Sequence, residues 1–192
     1  MILPLQILYF VLQDIQMNKY ILLILIVSIC FSCKNKQSPD KVKEVESITN
    51  LDIGGLYRYY HSNPTTLEQK EENTIIELLA DSNQDAVRTQ SGIYITKHIV
   101  GTGDSIKWGD PITVHYRGYF MDGQEFDSSI KKGKPISFRV GSMVAGWNEA
   151  LPYLNLGSKA TFVIPSHMGY GKRGFPGFVG PDKILLFDIE VI

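Results

Sequence analysis

The spacing of hydrophobic and polar positions changes character several times along this chain. Behind the short basic start Asn18-Lys19, Ile21-Leu22-Leu23-Ile24-Leu25-Ile26-Val27 is an unbroken apolar run. It is well short of the about 20 residues a bilayer-spanning helix needs, and it reads as an export signal ending near Cys33. From Lys34 onward polar and charged residues dominate, with too few apolar side chains to support folding, which predicts a tether over residues 34–63. Residues 64–91 form a helical extension: Leu67, Ile75, Leu78 and Leu79 recur at helical spacing, with Glu68, Lys70, Glu71 and Glu72 off the stripe. Thr65 and Glu68, just after Pro64, carry the signature of a capping box. The stripe needs a partner surface, which is the rest of the chain, a second copy or another protein.

Beyond Asn83 the period falls to two. Ile93 and Ile95 alternate with Tyr94 and Thr96; Ile112, Val114 and Tyr116 alternate with Thr113, His115 and Arg117. Ile136, Phe138 and Val140 alternate with Ser137 and Arg139, and Lys159 to Ile164 adds another strand. In the last segment Leu185, Phe187, Ile189 and Val191 share one face against Asp188 and Glu190. One short helical stretch, Val144 to Leu151, interrupts the strands and carries Trp147. A half-wrapped antiparallel sheet around one short helix, over residues 92–192, is an α+β arrangement.

Composition narrows the function classes. With 192 residues and 44% hydrophobic content the chain fits one domain with appendages. Lys+Arg 19 against Asp+Glu 20 leaves a net charge of -1, without the basic footprint of a nucleic-acid partner. Both cysteines, Cys30 and Cys33, lie at the end of the apolar run, so thiol and disulfide chemistry are excluded after Cys33. His61, His98, His115 and His167 show no metal-ligand spacing and enter no Ser-His-acid set, and Gly169 to Gly174 is not a phosphate loop. No metal and no cofactor is expected.

Ser32 directly before Cys33 resembles a bacterial lipoprotein signal, with cleavage before Cys33 and lipid on its thiol; Cys30 stands three before it, where such signals usually have Leu or Val. An ordinary anchor and a cleaved secretory signal are the alternatives. Met17 offers a second start, since Pro4 and Asp14 lengthen the signal without improving it. The lipoprotein reading places the protein in the cell envelope, anchored by lipid and facing the periplasm, with the outer membrane as its expected site.

The candidate chemistry lies in Phe126-Asp127-Ser128-Ser129, Gly146-Trp147, Gly169-Tyr170-Gly171 and Phe187, aromatics distributed around one acid in a way suited to a proline ring. Taken singly, Trp147 reads as a core residue and Asp127 as a turn or cap residue. Together with Val114-His115-Tyr116-Arg117-Gly118, Asp122-Gly123-Gln124-Glu125, Leu156-Gly157, Ile164-Pro165 and Leu186-Phe187-Asp188, their order and spacing resemble the FKBP-type peptidyl-prolyl isomerases from about Gly92 to Ile192. The signal and helical extension are more similar to the gliding-motility-associated lipoprotein isomerases.

The resemblance implies an FKBP-like twisted sheet wrapping the short helix, with an apolar pocket for the proline of an Xaa-Pro bond. By carry-over Trp147 is the pocket floor, with Tyr116, Phe126, Phe138 and Phe187 as walls and Met143 and Val144 at the lip. Tyr170, Phe175, Phe178 and Val179 come from the last loop, and Asp127 sits beside the peptide carbonyl. Asp127, Tyr116 and Tyr170 are the implied catalytic set. Where better-known small members have Tyr, Phe and His, this chain has Met168, Ile136 and Phe175, so the pocket stays apolar while rate and macrolide affinity fall. The implied partners are proline-containing polypeptides and macrolides of the rapamycin type. Lys131, Lys132, Lys134, Lys172 and Arg173 read as solvated loop charges. The alternative to an isomerase is a non-catalytic proline-binding chaperone or an assembly component of an envelope complex.

Overall fold

The computed structural model describes residues 50–192, so the signal, the start at Met17, Cys33 and the first part of the tether lie outside the described residues. Seven antiparallel strands form one sheet: β1 Val87–Arg88, β2 Tyr94–Ile99, β3 Pro111–Tyr119, β4 Glu125–Ser128, β5 Ile136–Arg139, β6 Lys159–Ile164 and β7 Leu185–Val191. Their order is β1-β2-β6-β7-β3-β4, and β5 pairs with the first half of β3 while β4 pairs with its second half. Among the described residues three α-helices accompany it: α1 Ile53–Leu56, α2 Leu67–Asp81 and α3 Ala145–Ala150.

The alternation read from β3 and β7 sets the concave core. Ile112, Val114 and Tyr116 meet Leu185, Phe187, Ile189 and Val191 around α3, whose Trp147 and Ala150 are fully enclosed. Short α3 is held tightly against β6 because Gly146 presents no side chain: a Cβ there would lie 2.6 Å from Ile164. That contact places Trp147 at the centre of the sheet's hollow.

The convex face holds a second core that the strand pattern does not announce. Tyr94, Val163 and Leu186 project to this side and pack against Ile75, Ile76 and Leu79 of α2, with Leu56 and Ala86. The partner of the helical stripe is therefore the sheet of the same chain. Ile76 belongs to the buried stripe, whereas Leu67 is exposed. The cap lies one residue later than expected: Thr66 accepts from the Gln69 N–H at 3.2 Å, and the Gln69 side chain reaches back to the N–H groups of Thr65 and Thr66.

Part of the stretch expected as tether is folded. Asp52 caps α1 by accepting from the Gly55 N–H at 2.8 Å, Leu56 is fully buried, and Leu51 exchanges backbone hydrogen bonds with Ala86. A charged cluster fastens this segment: Glu72 accepts from Arg88 at 2.7 Å and from the Tyr94 hydroxyl at 3.1 Å and pairs with His61 at 3.0 Å. The boundary drawn at residue 92 thus cuts through a continuous packed unit.

Candidate active site

Trp147 is 1% exposed and stands under three aromatic rings, with centroids 5.5 Å from Tyr116, 5.7 Å from Phe138 and 5.3 Å from Phe187. Tyr116 and Phe187 meet it edge-on, the arrangement that places positive ring edges over a negative face. Phe126 joins Phe187 at 5.6 Å and Phe120 at 4.9 Å. The walls close up because β3 carries Gly118 between them, where a Cβ would lie 2.8 Å from both the Phe126 and Phe187 rings. The Trp147 indole nitrogen is buried and has no hydrogen-bond partner among the described residues.

The polar side of the box is a short chain of hydrogen bonds. Tyr116 donates its hydroxyl to Asp127 Oδ2 at 2.6 Å, and the Ser128 N–H donates to Asp127 Oδ1 at 2.8 Å. Lys132 forms an ion pair with the same carboxylate and donates to the Tyr116 hydroxyl oxygen at 3.3 Å. Behind them Ser129 Oγ accepts from the Tyr116 N–H at 2.7 Å, tying the Asp127 segment to β3. Burial pushes the Asp127 carboxyl upward, but the Lys132 ammonium and the Tyr116 hydroxyl outweigh it and hold the group below its ordinary value. Burial, and then the Asp127 charge, raises the hydroxyls of Tyr116 and Tyr170. At neutral pH the site therefore presents a carboxylate paired with the Lys132 ammonium, and two protonated phenols.

The lip and lid are set by backbone turns. Asn148 on α3 accepts from the N–H groups of Gly141 and Met143 at 3.0 and 3.1 Å and donates to the Met143 carbonyl at 2.6 Å. Val144 precedes α3 as its N-cap residue, with no side-chain cap. In the last loop Phe175 and Val179 exchange backbone hydrogen bonds at 2.7 and 2.8 Å, and Tyr170, Phe175 and Phe178 stack in a column with spacings of 5.3 and 5.1 Å. Phe175 and Phe178 remain 46% and 59% exposed at its outer end.

Of the residues singled out by sequence, Tyr116, Phe126, Ile136, Phe138, Met143, Val144, Trp147, Tyr170, Val179 and Phe187 pack in one cluster, with Met168 beside them. Phe175 and Phe178 reach it through Tyr170. Ser129 belongs to the segment singled out around Asp127, whereas the roles of Lys132 and Asn148 escape the sequence reading. Lys132 is not a free loop charge, and Lys131 pairs with Glu125 at 2.9 Å. No sequence signal separates these lysines from Lys134; only the turn after β4 brings Lys132 back to Asp127. A separate groove of about 500 Å³, lined by Asp85, Thr96, Lys97 and His98, carries none of these aromatics.

Residues 103–192 match the family model described as FKBP-type peptidyl-prolyl cis-trans isomerase. A probable FKBP-type peptidyl-prolyl cis-trans isomerase of Haemophilus influenzae is 36% identical over 65% of this chain and 52% of its own length, so the chain spans about half of that relative. A peptidyl-prolyl cis-trans isomerase of Schizosaccharomyces pombe is 42% identical over 51% of this chain and 92% of its own length. The crystal structure of FkpA from Escherichia coli superposes with a TM-score of 0.59 at 32% identity, covering 65% of this chain and 57% of that one. With the family model matched over residues 103–192 and a relative matched at 42% identity over 92% of its length, the chain belongs to the FKBP-type peptidyl-prolyl cis-trans isomerase family.

Proposed function

We propose that this protein is a lipid-anchored peptidyl-prolyl cis-trans isomerase that accelerates proline steps in exported polypeptides. The observation that carries the reading is the Tyr116–Asp127–Lys132 chain set beside the Trp147 box. Rotation about an Xaa-Pro bond crosses a barrier of roughly 18–20 kcal/mol and takes tens to hundreds of seconds unaided. Shortening about 100 s to about 10 ms requires about 5.5 kcal/mol. No covalent step is needed: the pocket has only to bind the twisted amide better than the planar one.

The Trp147 floor and the Phe126, Phe138 and Phe187 walls hold the ring. The charged Asp127, fixed by Tyr116 and Lys132, has no proton to give at neutral pH, so it orients and polarises. Tyr170 keeps its proton and can donate to the substrate carbonyl. The same apolar box suits macrolides of the type that FK506-binding relatives are named for. The anchor at Cys33 and the kinship with gliding-motility lipoproteins rest on the sequence of the export segment.

Exchange spectroscopy on an Xaa-Pro peptide with the full chain in detergent separates catalysis from mere capture. Faster exchange at substoichiometric protein supports the isomerase, whereas peptide binding with buffer-rate exchange supports the chaperone alternative. Replacing Cys33 by Ser should release the protein from membranes; continued association would point to an uncleaved anchor.

A further inference from the structure

The loop that carries Tyr170 leaves β6 after Ile164 and winds through two short 3-10 turns, Ser166–Met168 and Gly171–Arg173. The leading N–H groups of such a turn have no acceptor in their own backbone. Ser166 is 2% exposed, so solvent is poorly placed to supply one. The acceptor comes instead from 95 residues earlier in the chain: Glu71 Oε2 on α2 receives the Ser166 N–H at 2.9 Å. Glu71 is itself 5% exposed, and its other oxygen has no partner among the described residues. A carboxylate buried in this way is expensive, so the hydrogen bond it makes is the feature its position explains.

α2 thus packs against the first of the two turns of the loop. Tyr170 lies between those turns: the Gly169 N–H donates to the Ser166 carbonyl at 3.0 Å, and the Gly174 N–H to the Tyr170 carbonyl at 3.1 Å. A displacement of Ser166 is carried directly to Tyr170 and to the aromatic column stacked on it.

We propose that Glu71 is a positioning residue for the active site, through which the helical extension holds the Ser166–Gly174 loop and sets Tyr170 over the proline pocket. The extension lies outside the residues 103–192 that match the family model, so this control is added to the isomerase domain from outside it. The inference rests on the isomerase reading for its kinetic consequence and on geometry alone for its structural one.

The test uses the full chain in detergent, with Glu71→Leu to remove the acceptor and Glu71→Gln to retain one. For Glu71→Leu the kcat/KM for an Xaa-Pro peptide should fall about tenfold, because Tyr170, which donates to the substrate carbonyl, loses its fixed position. Amides from Ser166 to Gly174 should exchange about tenfold faster, with β3 and β7 unchanged. Glu71→Gln should stay near wild type in both readouts. Should Glu71→Leu fail to fold, Ser166→Pro removes the donor instead, at a position whose predecessor Pro165 already has the extended backbone that a following proline demands (φ -62, ψ 155). Unchanged kcat/KM and unchanged loop exchange in the acceptor-free variant, or an equal loss in Glu71→Gln, overturns the proposal. An inactive wild type overturns the isomerase reading alone, and amide exchange then decides the coupling.

Discussion

Replacing Trp147 by Phe tests whether the pocket floor is held for binding or for stability. Two opposing quantities decide the outcome. The change removes two buried ring carbons besides the indole nitrogen, a loss of about 1.6 kcal/mol at about 0.8 per buried carbon. It also removes an indole N–H that is buried without a hydrogen-bond partner among the described residues, which relieves about 1–3 kcal/mol. The terms nearly cancel, so urea unfolding should place Trp147→Phe within about 1.5 kcal/mol of wild type. Trp147→Ala has no such compensation, because it empties the space between Tyr116, Phe138 and Phe187 and should lose about 3–5 kcal/mol. If Trp147 is a substrate platform, Phe should still lower kcat/KM several-fold despite near-native stability. Equal stability losses for Phe and Ala, or a Phe variant with wild-type kcat/KM, would refute the reasoning.

Tyr116→Phe deletes the hydroxyl between Asp127 and Lys132; it should lose about 1–2 kcal/mol in urea unfolding, since Lys132 still pairs with the carboxylate. Gly118→Ala forces a methyl against Phe126 and Phe187 and should lose about 1–3 kcal/mol with a raised KM, read by calorimetry and by peptide exchange. The folded-state value of Asp127 lies below its unfolded value, so its contribution to stability is fully present above the ordinary carboxylate range and is lost as pH falls through the lowered value. Acid unfolding of wild type and Asp127→Asn should therefore differ in slope below about pH 4 and run parallel between about pH 5 and 8.

How far the sequence reveals this structure depends on how many faces a strand buries. From Phe187 to Val191 β7 alternates because Asp188 and Glu190 face solvent more than Phe187, Ile189 and Val191 do, whereas Leu186 at its start is buried in the second core. β2 is harder: Tyr94 and Ile95 are both fully buried, one under α2 and one over α3, so alternation within the strand hides a second core. The two-residue β1 and the Leu51–Ala86 bridge have no periodicity at all and exist only because α1 and α2 cover them. In the site, the aromatics are legible because their order matches a known family, and Gly118 makes sense only once the walls are seen. Lys132 and Glu71 are the opposite case. Each is a charged residue among several charged neighbours, and its role is created by a turn or a helix phase that no local pattern encodes.

The measurement that bears most directly on the central claim is cis-trans exchange of an Xaa-Pro peptide, followed by magnetisation transfer with catalytic amounts of the full chain. The account predicts exchange well above the buffer rate, falling on Trp147→Phe and on Asp127→Ala while the fold persists. Exchange at the buffer rate with folded wild-type protein would contradict it.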